Sequence, residues 1–218
     1  MKNVALSVIV LIGERAFGLA RFLKSFLETQ PTEMVQIIFV FPEKAGVSFT
    51  QKARFADVLY MPYGKETVFV TLKKAIEIAQ ADYILFQEPH TDLKFNIIDP
   101  LLRYIQTDQY AGIGSLMYPG GNMSFTDWVA YLCNSSDWGP GTRGGANPDS
   151  IAGNNIVYKK SALFALGEEL VIYLYADYII QSNFREKGLK LWLIDDVDMI
   201  HDDKMAFSEL ALESFWNG

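Results

Sequence analysis

The chain has 218 residues, half of them hydrophobic and 14% aromatic, which is enough for a sizeable core and too apolar for a disordered chain. Its net charge of -7, with no long basic run, argues against a nucleic-acid partner, which would need clustered Lys and Arg. A single cysteine, Cys133, excludes an intrachain disulfide and a cysteine-built zinc site; it reads as a small buried hydrophobe and fits a reducing, cytoplasmic setting.

The first twenty residues, MKNVALSVIVLIGERAFGLA, place one Lys before an apolar run, as a secretion signal does. The run is β-branched, however, and breaks at Gly13-Glu14-Arg15, so Ala5 to Ile12 reads as a first core strand. Glu14 to Glu28 carries Phe17, Leu19, Phe22, Leu23, Phe26 and Leu27 at helical spacing and stops near Pro31. Val35 to Phe41 and Ala56 to Met61 read as strands. Lys65 to Gln80 is an amphipathic helix with Val68, Leu72, Ala75, Ile76 and Ala79 on one side. Asp82 to Gln87 is a strand, Phe95 to Gln106 a helix with Pro100 near its first turn, and Tyr110 to Met117 a strand. No stretch reaches the ~20 apolar residues that span a bilayer, which leaves only a peripheral membrane contact through exposed aromatics.

The order β-α-β-β-α-β-α-β predicts an α/β fold with a mostly parallel central sheet and helices on both faces. Such sheets bind ligands beyond the carboxyl ends of their strands. There the strand Asp82 to Gln87 delivers Glu88-Pro89-His90, a carboxylate and an imidazole. From Tyr118 to Ser150 the chain is rich in Gly, Asn, Ser and Trp and reads as a long loop, with a flexible lid as its functional role. Ile151 to Tyr158 is a strand, Lys160 to Leu166 a short helix, Leu174 to Lys187 a helix ended by Gly188, and Leu189 to Ile194 a strand. His201 follows a short apolar segment; it and His90 are the two histidines of the chain. Asp195-Asp196 and Asp202-Asp203 read as solvated surface.

Four segments in register resemble family 2 glycosyltransferases of the GT-A fold. LSVIVLIGERAFGLARFLKSFLETQ is similar to that family's opening strand and helix, and AIEIAQADYILFQEPHTDL to the helix and strand carrying its D-x-D motif. IAGNNIVYKKSALFALGEEL is similar to its G-x-N segment, and YADYIIQSNFREKGLKLWLIDDVDMIHDD to its acidic catalytic helix, R-x-x-G turn and terminal His. In place of D-x-D stands Glu88-Pro89-His90; where the family has paired aspartates after its second strand stand Phe41 and Pro42, with Glu43 next.

The resemblance implies one GT-A-like domain, with residues 1–117 as the nucleotide-binding half and 118–218 as the acceptor half. It implies transfer of a sugar, with inversion, from a nucleotide-sugar donor to a glycan or other hydroxyl acceptor. It places His90 and His201 at a divalent metal, Mn²⁺ or Mg²⁺, Glu88 toward the donor ribose, and Asp177 as the base. Glu43, Gly153, Asn154 and Asn155 are further donor-side candidates, with Trp138 to stack on a sugar and Arg143 to pair with the diphosphate. Trp128 also suits stacking, whereas Trp192, inside a strand, suits core packing. The altered motifs keep a second expectation open, a non-catalytic domain of this fold that binds a sugar nucleotide, a glycan or a protein.

Overall fold

A computed structural model describes residues 4–13, 18–45, 54–93, 95–153 and 155–201. Among the described residues nine strands join in one sheet: β1 (Leu6–Leu11), β2 (Val35–Pro42), β3 (Asp57–Tyr63), β4 (Tyr83–Gln87), β5 (Thr91–Asp92), β6 (Tyr110–Pro119), β7 (Gly145–Ala146), β8 (Ile156–Lys159) and β9 (Lys190–His201). Their order is β3-β2-β1-β4-β8-β6-β9-β5, with β7 added on β9. The long ladders, β3-β2-β1-β4 and β6-β9, are parallel. The antiparallel pairings, through β8, β5 and β7, are short. The sheet is thus mostly parallel, as the alternation predicts.

Helices cover both faces because successive strand residues point to opposite sides. On one face Val8, Val10, Ile37 and Phe39 meet Phe22 and Phe26 of α1 (Leu19–Thr29) and Ile98 and Leu101 of α3 (Ile98–Ile105). On the other, Ile9, Ile38 and Val40 meet Leu72 and Ile76 of α2 (Val68–Ile78) and Ile180 and Phe184 of α7 (Asp177–Glu186). Burying each such side chain contributes about 1.5–3 kcal/mol. Pro100 lies in the first turn of α3, where its missing N–H has no intrahelical acceptor to lose.

Three expectations are corrected. The stretch from Tyr118 to Ser150 is not a plain loop: it holds α4 (Phe125–Asn134) and β7. A capping box starts α4, with Ser124 accepting from the Asp127 N–H and Asp127 accepting from the Ser124 N–H. Cys133 is exposed rather than buried, because α4 turns Asp127, Ala130 and Tyr131 inward and Cys133 falls off that stripe. The helix expected over Leu174 to Lys187 is α7, which begins at Asp177 after the short α5 (Lys160–Phe164) and α6 (Leu170–Tyr173). The last strand is also longer than expected, running unbroken to His201 past an irregularity opposite Ser115/Leu116. Among the described residues no helix is long and apolar enough to cross a membrane.

Candidate metal centre

Strand β4 ends at Gln87, and the chain turns at once through Glu88-Pro89-His90 into β5. The Thr91 N–H closes this turn on the Glu88 carbonyl at 3.4 Å. Strand β5 then pairs antiparallel with the end of β9, setting Thr91 opposite His201. On its other side His201 stands opposite Pro119, the last residue of β6. The end of β9 is therefore held from both sides, and His201 reaches the β4 turn.

The three side chains meet at their tips. His90 Nε2 and His201 Nε2 are 2.9 Å apart. Glu88 Oε2 lies 3.0 Å from His201 Nε2 and 3.1 Å from His90 Nε2. His201 is 4% exposed, while His90 and Glu88 are 28% and 35% exposed, so the cluster is rooted in the sheet and open on one side. Among the described residues this is the one group of His, Cys, Asp or Glu atoms close enough to share an ion.

The donor set fits a cation. Atoms bound at right angles to one ion at about 2.1 Å stand about 3.0 Å apart, which is the edge of this triangle. One carboxylate and two imidazoles are donors that borderline divalent metals accept. The charge of one donor is set by its surroundings: burial pushes the Glu88 carboxyl up, but the adjoining His201 and His90 rings outweigh it and hold the group well below the usual carboxylate range. Glu88 is thus ionised at neutral pH and offers a negative ligand.

Helix α1 abuts the same turn. Gly18, its N-cap, has φ +75, and a Cβ there would stand 2.5 Å from the Pro89 carbonyl oxygen and 2.9 Å from the His90 Cα. Glycine is required by both the backbone angle and the contact. Nothing in the sequence marks Gly18 as a site residue; the signal is only a glycine just before an amphipathic helix. Arg21, one turn on, points a guanidinium at the His90 carbonyl at 3.5 Å.

The other expected residues fall as follows. Asn155 is 2% exposed and faces the β4 turn rather than open space. Asn154 lies outside the described residues, and Gly153 beside it is half-buried. Glu43 is exposed just beyond β2, packed beside Gly64. Arg143 is exposed ahead of β7. Trp138 is half-buried and donates Nε1 to the Ser150 carbonyl at 3.2 Å. Trp192 packs between Tyr104 and Tyr110, whereas Trp128 is 45% exposed. Asp177 opens α7, and its side chain lies outside the described residues. Tyr175 and Tyr178 flank it in sequence and are 77% and 68% exposed. The Tyr175 ring meets Phe69, in the first turn of α2, at 5.2 Å. Helix α2 follows the carboxyl end of β3, so the approach to α7 lies at the carboxyl edge, the edge where Glu88 emerges.

No protein-family model and no curated protein matches the chain. Solved structures do. GalNAc-T7, crystallised with UDP, GalNAc and Mn²⁺, superposes with a TM-score of 0.61 at 12% identity, over 92% of this chain and 44% of that one. The fold is GT-A-like. Staphylococcus aureus TarS superposes with a TM-score of 0.59 at 10% identity, over 91% of this chain and 37% of that one. Its 1–349 fragment gives the same score over 60% of its length. The chain thus spans less than two thirds of these glycosyltransferases, and the likeness covers nearly all of its own GT-A-like sheet and helices.

Proposed function

We propose that the chain is a metal-dependent glycosyltransferase of the family 2 type, moving a sugar with inversion from a nucleotide-sugar donor to a hydroxyl acceptor. The observation that carries this reading is the meeting of Glu88, His90 and His201 at the carboxyl edge of a glycosyltransferase-like sheet. A divalent cation held by these three would offset the negative charge that builds on a departing diphosphate. Two imidazoles in the donor set favour Mn²⁺ over Mg²⁺, which prefers oxygen ligands. The Mn²⁺ and UDP found with GalNAc-T7 support the same choice.

Asp177 is the proposed base. The acceptor oxygen bonds to the anomeric carbon on the face opposite the diphosphate, the carbon–diphosphate bond breaks, and the acceptor proton passes to the Asp177 carboxylate. Glu43, Gly153, Asn154 and Arg143 remain on the donor side in this reading, and residues 118–218 form the acceptor half. The exposed rings of Tyr175 and Tyr178 offer flat, amphipathic faces to an acceptor beside the base, which suits a glycan.

A second reading, a non-catalytic domain of the same fold, draws on the end of β2. Phe41 and Pro42 stand there where the family has paired aspartates, leaving exposed Glu43 as the nearest carboxylate in sequence. Calorimetric titration with UDP, GDP and their sugar conjugates, with and without Mn²⁺, separates the two. Mn²⁺-dependent donor binding is expected, followed by turnover in an acceptor screen; donor binding without turnover on any acceptor would favour the second reading.

A further inference from the structure

Asn155 sits between β7 and β8, directly ahead of β8, with φ +59, a left-handed angle that asparagine tolerates better than most residues. Its buried Oδ1 gathers three donors. The Thr91 hydroxyl reaches it at 3.1 Å and the Glu88 backbone N–H at 3.4 Å, and the Gln87 side-chain amide also donates to it. The Gln87 Nε2 donates in addition to the Glu88 carbonyl at 3.1 Å. Two of these contacts are to backbone, and they fix which way both amides point. The Glu88 N–H can only donate, so Asn155 must present oxygen; the Glu88 carbonyl can only accept, so Gln87 must present nitrogen.

These bonds grip the turn at both ends. Gln87 and the Glu88 backbone precede His90; Thr91 follows it and pairs with His201. No atom of Asn155 belongs to the three-atom cluster, yet its oxygen touches the residues that set where all three donor atoms stand.

We propose that Asn155 is a positioning residue of the metal centre, whose single carbonyl oxygen holds the Glu88–Thr91 turn in the shape that brings Glu88, His90 and His201 together. The inference rests on the metal-dependent reading above and adds a residue that never contacts the ion. Residues that orient metal ligands act on affinity: their loss typically weakens binding about 10- to 100-fold.

The role requires an oxygen acceptor and nothing else. The Asn155 Nδ2 is buried and has no partner among the described residues, so it contributes no bond to the clamp. Asn155→Asp keeps the acceptor and tolerates the backbone angle. Asn155→Gly keeps the angle and removes the acceptor. The two variants therefore separate the clamp from backbone strain.

The test is Mn²⁺ titration of the full chain, read by the electron paramagnetic resonance of free Mn²⁺, with thermal unfolding of the metal-free protein alongside. Asn155→Gly is expected to raise the Mn²⁺ Kd about 10- to 100-fold, and Asn155→Asp to stay within about threefold of wild type. Should Asn155→Gly fail to fold, Thr91→Val carries the test: it deletes one donor from a residue of similar shape, and its Kd is expected to rise about threefold or more. An unchanged Kd in Asn155→Gly, or in Thr91→Val where that variant carries the test, overturns the clamp while leaving the metal site intact. So does an Asp variant as weak as the Gly variant. A wild-type chain that binds no Mn²⁺ overturns the metal-dependent reading and the clamp with it.

Discussion

His90 and His201 stand 111 residues apart in the chain, and their Nε2 atoms lie 2.9 Å apart. Two imidazole nitrogens this close, each also within 3.1 Å of the Glu88 carboxylate, set out one donor from each of three side chains around one point. Loss of any one of them should be felt by the whole site. His201→Ala and Glu88→Gln are each expected to weaken Mn²⁺ binding by more than about 100-fold, beyond what loss of a supporting residue does. Calorimetry on the metal-free protein measures this. A His201→Ala variant that binds Mn²⁺ as wild type does would remove β9 from the site.

The base role proposed for Asp177 makes a different prediction, because a base would act on the acceptor and not on the ion. Asp177→Asn should lower kcat about 100- to 10,000-fold while leaving donor affinity within a few-fold of wild type. Unchanged turnover would take Asp177 out of the mechanism. Loss of donor binding together with turnover would make it a donor-site residue instead.

The sheet was legible because its strands announce themselves. β1, β2 and β4 are short apolar runs between helical patterns, and their alternation determines a parallel sheet whatever the side chains at its edge. The carboxylate and imidazole after β4 were legible for the same reason, since the end of a core strand is where such folds place chemistry. The meeting of His90 with His201 was expected only through the family resemblance, and that Glu88 joins them was not expected. It depends on β5, two residues long, and on β9 running straight past the irregularity opposite Ser115/Leu116, and neither leaves a periodic trace. The role of Gly18 was invisible for another reason: only the packing of α1 against Pro89 shows that no side chain fits. Helix α4 had a signal that glycine-rich surroundings masked, the Ser124–Asp127 pair that starts Phe125 to Asn134.

Gly18→Ala tests that packing. A methyl group at φ +75 is strained, and here it also meets a backbone carbonyl that cannot swing away as a side chain would. The variant is expected to lose about 1–3 kcal/mol of stability and to bind Mn²⁺ more weakly, because the atom displaced belongs to the turn that carries His90. Denaturant unfolding and metal titration on one preparation check both. Lost stability with unchanged metal affinity would show that α1 moves and the turn does not.

Tyr83 gives a pH dependence remote from the metal centre. Burial, then a hydrogen bond to Asp108 at 3.0 Å and the charge of that carboxylate, push its phenol above the ordinary 10.0. The folded chain therefore keeps this proton at pH values where the unfolded chain has lost it. The contribution to stability is complete below about pH 10 and declines as pH rises further, by at most about 1.4 kcal/mol per pH unit. Tyr83→Phe has no phenol to ionise, so its stability should fall less steeply over that range. Parallel denaturant titrations between pH 8 and 11, on the order of half a unit apart, give the slopes. Equal slopes in the two proteins would refute the assignment.

The acceptor site proposed beside Asp177 draws on two tyrosines that the fold leaves in the open. Tyr175 and Tyr178 bracket Asp177 in sequence and are 77% and 68% exposed. If they form a platform for a sugar ring, the stacking energy enters acceptor binding and leaves the chemical step alone. Tyr178→Ala is then expected to raise the acceptor KM about threefold to tenfold, the equivalent of about 0.5–1.5 kcal/mol, with kcat little changed. Tyr178→Phe keeps the ring and should stay close to wild type. A fall in kcat at constant KM would instead place Tyr178 beside the reacting atoms. No effect of either substitution would point the acceptor to the other exposed aromatic face of this half, Phe125 and Trp128 on α4.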